Sequence, residues 1–216
     1  MVLKELIDLP GVSGNENEVR DYILKEAAAR GFETTVDRLG SVFAQKKGAK
    51  RGKRVMLDAH MDEIGLIVIG IRDDGLISYE PVGGIDPRVM VSKRVLVGKD
   101  AIPGVIGAKA IHLQDKKDRE APLDHKDLYV DIGAKDKKDA EKWVNPGDYV
   151  AFAPNYLEFG EGFVRAKALD DRIGCYNMLR LMENDYPADV VYSFSVQEEV
   201  GLRGAQVAAY RLQPDC

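Results

Sequence analysis

The fold is decided by one apolar run, Val190-Val191-Tyr192-Ser193-Phe194-Ser195-Val196, which is the strongest strand signal in the 216 residues. Its β-branched and aromatic residues favour an extended backbone. A second run, Val55-Met56-Leu57, leads into Asp58-Ala59-His60 in the manner of a buried parallel strand that ends at a polar site. Helical patterns flank both runs, one closed by Gly31 and another opened at Asp170. We therefore expect an α/β domain.

Between the two runs, the sequence changes to short β-branched stretches punctuated by Gly, Pro and Asp, which are typical of a small all-β barrel or sandwich. These stretches lie at 66–71, 76–81, 95–97, 105–111, 128–132 and 149–152. We expect residues 1–64 and 163–216 to form the two parts of the α/β domain. A β-barrel insertion at 65–162 is expected to interrupt it, with a charged loop at 114–126.

The composition excludes several classes of protein. Apolar residues make up 45% and charged residues 31% of the chain, as in an ordinary soluble globular protein. The formal net charge of -5 argues against a nucleic-acid partner, since nucleic-acid-binding surfaces are normally basic. No apolar run approaches the roughly 18–20 residues of a membrane helix, and the acid-bearing start Met1–Leu6 does not resemble a signal peptide. Cys175 and Cys216 make no disulfide framework, so we expect a cytoplasmic protein.

Three islands of histidine and acid lie far apart in sequence beside predicted strands and helices: Ala59-His60-Met61-Asp62-Glu63, Ala168-Leu169-Asp170-Asp171-Arg172 and Gln197-Glu198-Glu199-Val200-Gly201. Because the carboxyl ends of parallel strands meet at one edge of an open α/β sheet, the fold can bring these islands together. A neutral imidazole with several carboxylates is the ligand set of a hydrolytic site with two metal ions. The pattern therefore predicts a metal site.

The spacing within each island suggests roles and leaves alternatives open. His60 could bind a metal through one ring nitrogen while Asp62 holds the other nitrogen and sets the tautomer. In the pair Asp170-Asp171, one carboxylate could bridge two cations, or the pair could supply the N-cap and first-turn acid of a helix. In the pair Glu198-Glu199, one side chain could ligate a metal while the other moves protons, since neighbouring side chains diverge.

Other charged residues are assigned structural roles. The basic segment Lys46–Arg54 could bind an anion, but a solvated hairpin tip is the preferred interpretation. Arg172 and Arg203 could face a carboxylate of a substrate, but ion pairs with the nearby acids are preferred. His112 and His125, within the β insertion, are interpreted as non-ligands.

Six blocks occur in order along the chain: Gly-Val-Ser-Gly at 11–14, Ala-His-Met-Asp-Glu-Ile-Gly at 59–65, Pro-Gly-Val-Ile-Gly at 103–107, Asp-Ile-Gly-Ala at 131–134, Ala-Leu-Asp-Asp-Arg at 168–172 and Gln-Glu-Glu-Val-Gly-Leu-Arg-Gly-Ala at 197–205. Together they closely resemble the co-catalytic metallo-aminopeptidases of the glutamyl aminopeptidase and tetrahedral aminopeptidase family. Members of this family have often been labelled endoglucanases. Several matched blocks in order are far more specific than any single block.

The resemblance implies a set of site residues and a reaction. The metal ligands that it implies are His60, Glu199 and a bridging Asp170. The catalytic residues that it implies are Glu198, as general base, and Asp62, which supports His60. The complete site would hold two divalent ions, zinc or cobalt. A water activated by these ions would hydrolyse the N-terminal peptide bond of short peptides.

The resemblance also implies an architecture and partners. The fold class is α/β, with a zinc-peptidase-like mixed sheet flanked by helices and interrupted by a small β-barrel insertion. Family members commonly form large hollow oligomers through this insertion. We therefore expect a homo-oligomer, either a dimer or a larger assembly such as a dodecamer, with neither nucleic acid nor membrane as a partner.

The sequence departs from the family pattern in one respect. The family has a further Asp ligand, shortly after the stretch that corresponds to the end of this sequence, and a last His ligand. Neither has a counterpart among the 216 residues, so we expect the sequence to correspond to only part of a functional enzyme. On that basis the strand at 190–196 is expected to be short of neighbours in the sheet.

Three hypotheses of function follow from these patterns. The first is a metal-dependent aminopeptidase. The second is a catalytically incomplete fragment or paralogue that assembles without turnover. The third is a glycosidase, which needs two carboxyls about 5–9.5 Å apart and usually an aromatic groove. The single Trp of the chain, Trp143, lies in the insertion, which disfavours the glycosidase.

Overall fold

The structure is a computed structural model that describes residues 2–46, 52–116 and 121–216. It comprises two compact units, Met1–Glu63 with Pro154–Cys216, and Ile64–Ala153. The helices are α1 (Val2–Asp8), α2 (Asn17–Ala29), α3 (Lys137–Ala140), α4 (Leu169–Leu181) and α5 (Arg203–Leu212). The strands are β1 (Phe32–Val36), β2 (Val42–Lys46), β3 (Arg54–His60), β4 (Gly65–Ile71), β5 (Ile77–Val82), β6 (Arg94–Val97), β7 (Ile102–Ala108), β8 (Leu128–Asp131), β9 (Tyr149–Phe152), β10 (Leu157–Phe159), β11 (Phe163–Arg165) and β12 (Asp189–Ser195).

A mixed sheet forms the centre of the first unit, in the order β1-β2-β12-β3. β12 runs parallel to β3 and antiparallel to β2, so the predicted α/β class is confirmed. The expectation that the strand at 190–196 lacks neighbours is wrong. Tyr192 lies opposite Leu57 on one side and Ala44 on the other, because the N-terminal hairpin β1–β2 supplies a partner.

Helices cover both faces of this sheet. Alternate residues of β2 and β12, including Ala44, Tyr192 and Phe194, pack with α1, α2 and α4 in one core. The residues between them face the opposite side, where Val191 packs against Ala208 of α5. Side chains alternate along each strand, so neighbouring residues lie on opposite faces of the sheet. The ends of the central strands can carry polar groups.

The second unit is a closed barrel with strand order β4-β5-β8-β7-β6-β9. Its interior is filled by side chains such as Leu66, Ile77 and Val150, all fully buried. The predicted β-barrel insertion is confirmed, and the pairing of β4 with β9 closes the barrel. This unit ends at Ala153, whereas the sequence placed the end of the insertion at residue 162.

Two predicted segments lie partly outside the described residues. Residues 47–51 of the basic segment and residues 117–120 of the charged loop belong to this group. In the described ranges, none of the helices is long and apolar enough to cross a membrane.

α5 approaches β12 closely at Gly204, and this contact generates a prediction. A methyl group at Gly204 would lie 2.6 Å from the backbone N of Val196 and would also press on the carbonyl oxygen of that residue. Gly204→Ala should therefore destabilise the chain by about 1–3 kcal/mol, although alanine ordinarily favours a helix over glycine. The free energy of unfolding in urea, followed by circular dichroism, measures the effect. Gln206→Ala, on the exposed side of the same helix, is the matched control and should change little. A stabilised Gly204→Ala variant would contradict the prediction.

Candidate metal centre

His60 occupies the last position of β3, and its ring is held from both sides. Nδ1 lies 3.1 Å from the backbone O of Asp62 and 3.5 Å from Oδ1 of the same residue. Nε2 lies 3.0 Å from Oδ1 of Asp170 and 3.8 Å from Oε2 of Glu198. The side chain is only 9% exposed. Two carboxylates therefore converge on Nε2. Such an arrangement is expected where an imidazole nitrogen and carboxylates bind the same cation.

The acids at the start of α4 have separate positions. Asp170 has an 88% exposed side chain that faces His60. Asp171 accepts a hydrogen bond from the backbone N of Gly174 at 2.9 Å. Of the two acids, Asp171 therefore has the helix-capping role that the sequence left open. Both residues depart from helical dihedrals, the peptide bond between them is cis, and Ala168 before them has a φ of 50°.

The third island joins the first at the ends of β12 and β3. Donor atoms of His60, Glu198 and Glu199 all lie within 4.8 Å of one another, and we call these three residues the metal cluster. An imidazole nitrogen with carboxylate oxygens suits zinc or another divalent transition metal. These residues therefore fit a divalent cation. The sequence proposed His60, Asp170 and Glu199 as ligands. The structure places Asp170 against His60 and Glu198 within the metal cluster.

Asp62 is the buried link between the two strand ends. Its carboxylate is fully buried and accepts a hydrogen bond from Ser13 Oγ at 2.6 Å. It also accepts from the backbone N of Glu198 at 3.0 Å and of Glu199 at 3.1 Å. Burial alone would raise the pKa of Asp62, but His60 and these donors outweigh burial and lower the pKa. Asp62 therefore stays ionised and holds the turn that carries both glutamates.

His60 and Glu199 have raised pKa values. For His60, burial lowers the pKa, but the carboxylates of Asp62, Asp170 and Glu198 outweigh burial and raise the pKa from 6.5 to about 9. For Glu199, burial raises the pKa of the carboxyl above its ordinary value. Neighbouring acids raise the pKa of both groups, and a bound cation would oppose both shifts.

A buried ion cluster that sequence reasoning missed lies behind the site. Glu63 is 2% exposed and its Oε1 accepts from Lys167 Nζ at 2.6 Å and from the backbone N of Gly11 at 3.1 Å. Lys167 Nζ also donates to Leu9 O at 3.1 Å. The available signal was a lysine between two alanines, Ala166 and Ala168, directly before a predicted site island.

Arg172 completes this cluster from the other side of the Asp170 segment. It is fully buried, donates from Nε to Met61 O at 2.8 Å and also donates to Leu6 O. Its Nη2 lies 3.8 Å from Glu63 Oε1, which agrees with the predicted ion pair between Arg172 and a nearby acid. Arg203 instead donates to the side-chain amide oxygen of Gln197 at 3.3 Å. In the other unit, His125 faces the backbone O of Ile85 at 2.9 Å.

Known proteins are similar to this chain in sequence and in fold. Residues 40–216 match the family described as M42 glutamyl aminopeptidase. The lysyl aminopeptidase of Pyrococcus furiosus is 35% identical over 221 residues, which cover 99% of this chain and 63% of that protein.

Solved structures agree. The TET aminopeptidase from the marine sediment archaeon Thaumarchaeota archaeon SCGC AB-539-E09 matches with a TM-score of 0.93 at 32% identity, over 99% of this chain and 63% of that chain. The Pyrococcus horikoshii TET1 peptidase, which can assemble into a tetrahedron or a large octahedral shell, matches with a TM-score of 0.86 at 34% identity, over 96% of this chain and 63% of that chain. These matches confirm the predicted resemblance, and the chain spans less than two thirds of the length of each of these relatives.

The buried ion cluster generates a stability prediction. Lys167→Met should lower the free energy of unfolding by about 3–5 kcal/mol, because Glu63 would keep a buried charge without its nearest cation. Urea unfolding measures the loss. The control is Lys46→Met, which removes the exposed pair with Asp185 and should change stability little. Equal effects of the two variants would contradict the buried cost that we assign to Glu63.

The position of His60 generates a pH prediction for the metal-free chain. Its ring should titrate near pH 9 in NMR spectra. Because the folded pKa of about 9 lies above the ordinary 6.5, protonated His60 stabilises the metal-free fold fully below pH 6.5, and that stabilisation is lost as the pH rises through 9. Asp170→Asn removes an exposed acid beside the ring and should lower the midpoint, whereas Asp21→Asn, on α2, should not. A wild-type midpoint at or below 6.5 would contradict this account.

Proposed function

We propose that this chain, which belongs to the M42 glutamyl aminopeptidase family, carries the main part of the active centre of a metal-dependent aminopeptidase. The substrates would be short peptides with a free N-terminus, from which single residues are removed. The observation that carries the proposal is the convergence of His60, Glu198 and Glu199 within 4.8 Å. These residues come from two strand ends far apart in sequence, and a hydrolytic metal site explains their meeting.

We infer that the complete site uses two divalent ions, zinc or cobalt. His60 and Glu199 would be ligands, and Asp170 would lie between the ions. The 3.0 Å approach of the exposed Asp170 carboxylate to His60 Nε2 supports this assignment. A divalent ion bound there supplies Lewis-acid chemistry, since it polarises a peptide carbonyl and lowers the pKa of a water. Asp62 would keep His60 in one orientation through the contacts at Nδ1.

Glu198 is the proposed general base. Its side chain is 33% exposed, so water and substrate can reach it, and its Oε2 lies 3.8 Å from His60 Nε2. In this role the carboxylate takes a proton from the attacking water and returns it to the departing amine. Its backbone N is bound to the buried Asp62, which restricts where the carboxylate can lie.

We propose that the barrel unit serves in assembly of a homo-oligomer. Ile69, Val89 and Val105 of this unit are apolar and exposed, at 53%, 60% and 44%, which is typical of an interaction surface when such residues cluster. The TET1 peptidase of similar fold supports the expectation of a large assembly, since its structures include a dodecamer and an octahedral shell. Both cysteines, the buried Cys175 and the exposed Cys216, are free thiols, which is consistent with the reducing cytoplasm.

Metal titration tests the proposal directly. The chain is stripped with a chelator and titrated with zinc or cobalt, while bound metal and release of amino acids from free and N-acetylated peptides are measured. Metal uptake with cleavage of only the free peptides supports the aminopeptidase. Metal uptake without turnover supports the incomplete-site alternative. No uptake by the chain would mean that the metal cluster holds no ion without further ligands, and the peptidase function would then belong only to a longer protein.

The two adjacent glutamates give a matched pair of variants. Glu198→Gln should lower kcat by about 10²–10⁴-fold with little change in metal affinity, because it removes the proton acceptor. Glu199→Gln should instead weaken metal binding, since it removes a proposed ligand. Isothermal titration calorimetry with zinc and a peptidase assay separate the two effects. If Glu198→Gln loses the metal, Glu198 is a ligand and the assignment of the base is wrong.

A further inference from the structure

The turn that follows β12 is held through three consecutive backbone N–H groups. Gln197 N donates to Oε1 of Glu16 at 3.2 Å. Glu198 N and Glu199 N donate to the two carboxylate oxygens of Asp62 at 3.0 and 3.1 Å. Glu16 is 6% exposed and Asp62 is fully buried. We call Glu16 and Asp62 the carboxylate cradle of this turn.

The backbone of the turn needs such support. Gln197 has a φ of 57°, in the left-handed region that residues with a side chain seldom occupy. A residue persists there only when its surroundings hold it. The N–H groups of Gln197, Glu198 and Glu199 donate here to oxygens of the two buried acids. The hydrogen bond to Glu16 is made by the N–H of the left-handed residue itself.

The side chain of Glu16 serves this turn and not its own helix. Glu16 stands at the N-cap of α2, yet its side chain makes no capping hydrogen bond there. Its Oε1 instead accepts from Gly14 N at 2.8 Å and from Gln197 N. Ser13 Oγ, from the same loop, donates to Asp62 at 2.6 Å. The loop before α2 therefore supports the turn after β12 at two points.

We propose that Glu16 is a positioning residue, whose carboxylate holds Gln197 in its left-handed conformation and so sets Glu198 and Glu199 against His60. The effect on metal binding rests on the function proposed above, whereas the effect on the turn does not. The hydrogen bonds of the Glu16 side chain go to backbone N–H groups of Gly14 and Gln197, not to His60 or to the carboxylates of the metal cluster. It acts through the backbone that carries two of the three cluster residues.

Four variants of the chain separate the effect of the length of the Glu16 side chain from the effect of its negative charge. Glu16→Ala removes the acceptor. Glu16→Gln keeps an oxygen at the same reach without the charge, and Glu16→Asp keeps the charge but withdraws it by one methylene. Glu18→Ala, an exposed acid two residues further on, is the control. Urea unfolding identifies any variant whose global stability has collapsed, and the Gln and Asp variants then carry the comparison.

The first measurement is amide hydrogen exchange at residues 197–199 in the metal-free chain. We expect exchange at Gln197 to rise at least about tenfold in Glu16→Ala and Glu16→Asp, because opening of the turn becomes easier. Glu16→Gln and Glu18→Ala should stay close to wild type. Unchanged exchange in Glu16→Ala would overturn the positioning role.

The second measurement is the affinity for cobalt, followed by its absorption spectrum. Loss of a residue that orients metal ligands typically costs about 10–100-fold in affinity, and we expect this loss for Glu16→Ala with recovery in Glu16→Gln. If even the wild-type chain binds no cobalt, the metal site of this chain is incomplete, and exchange at Gln197 still decides the role of Glu16. If cobalt affinity is unchanged while exchange rises, Glu16 supports the turn but does not position the cluster.

Discussion

The parallel pairing of β3 with β12 is the constraint on which the site depends. In this register Ser195 lies opposite His60, and the backbone N of Met61 continues the ladder by donating to Ser195 O at 2.7 Å. Both strands therefore end at the same edge of the sheet, and the residues that follow them emerge side by side. A slip of one residue would exchange the two faces of a strand. His60 would then point away from the turn that carries the glutamates.

Buried charge is the second structural theme, and the buried acids Glu16, Asp62 and Glu63 all accept hydrogen bonds. An ionised group out of water is costly unless it is paired and hydrogen-bonded. Glu63 faces the buried cations Lys167 and Arg172, while Asp62 accepts from Ser13 and from two backbone N–H groups. These pairs cross between segments that are remote in sequence. They therefore specify how the strand ends, the start of α4 and the turn after β12 are arranged around the metal cluster.

Much of the fold was readable from local pattern. The run at 190–196 predicted a strand and β12 spans Asp189–Ser195, while the β-branched stretches anticipated the strands of the second unit. The predicted β-barrel insertion is confirmed, but alternation along the strands would suit a sandwich equally well, and the closing pair of β4 with β9 is seen only in the structure. The neighbours of β12 were misjudged. Which strands pair is decided by long-range contacts, and here the hairpin β1–β2 takes the antiparallel side.

The sequence by itself determined which residues are the candidates for the site. His60, Asp62, Asp170, Glu198 and Glu199 are marked by residue type, by their place after apolar runs and by the motif blocks. Only the tertiary structure decided how they are held. The N–H of Gln197 finds Glu16 across 181 positions of the chain, and Lys167 finds Glu63 across 104. A backbone N–H is present in every residue except proline, so no pattern of side chains can mark which N–H groups a distant buried carboxylate will bind.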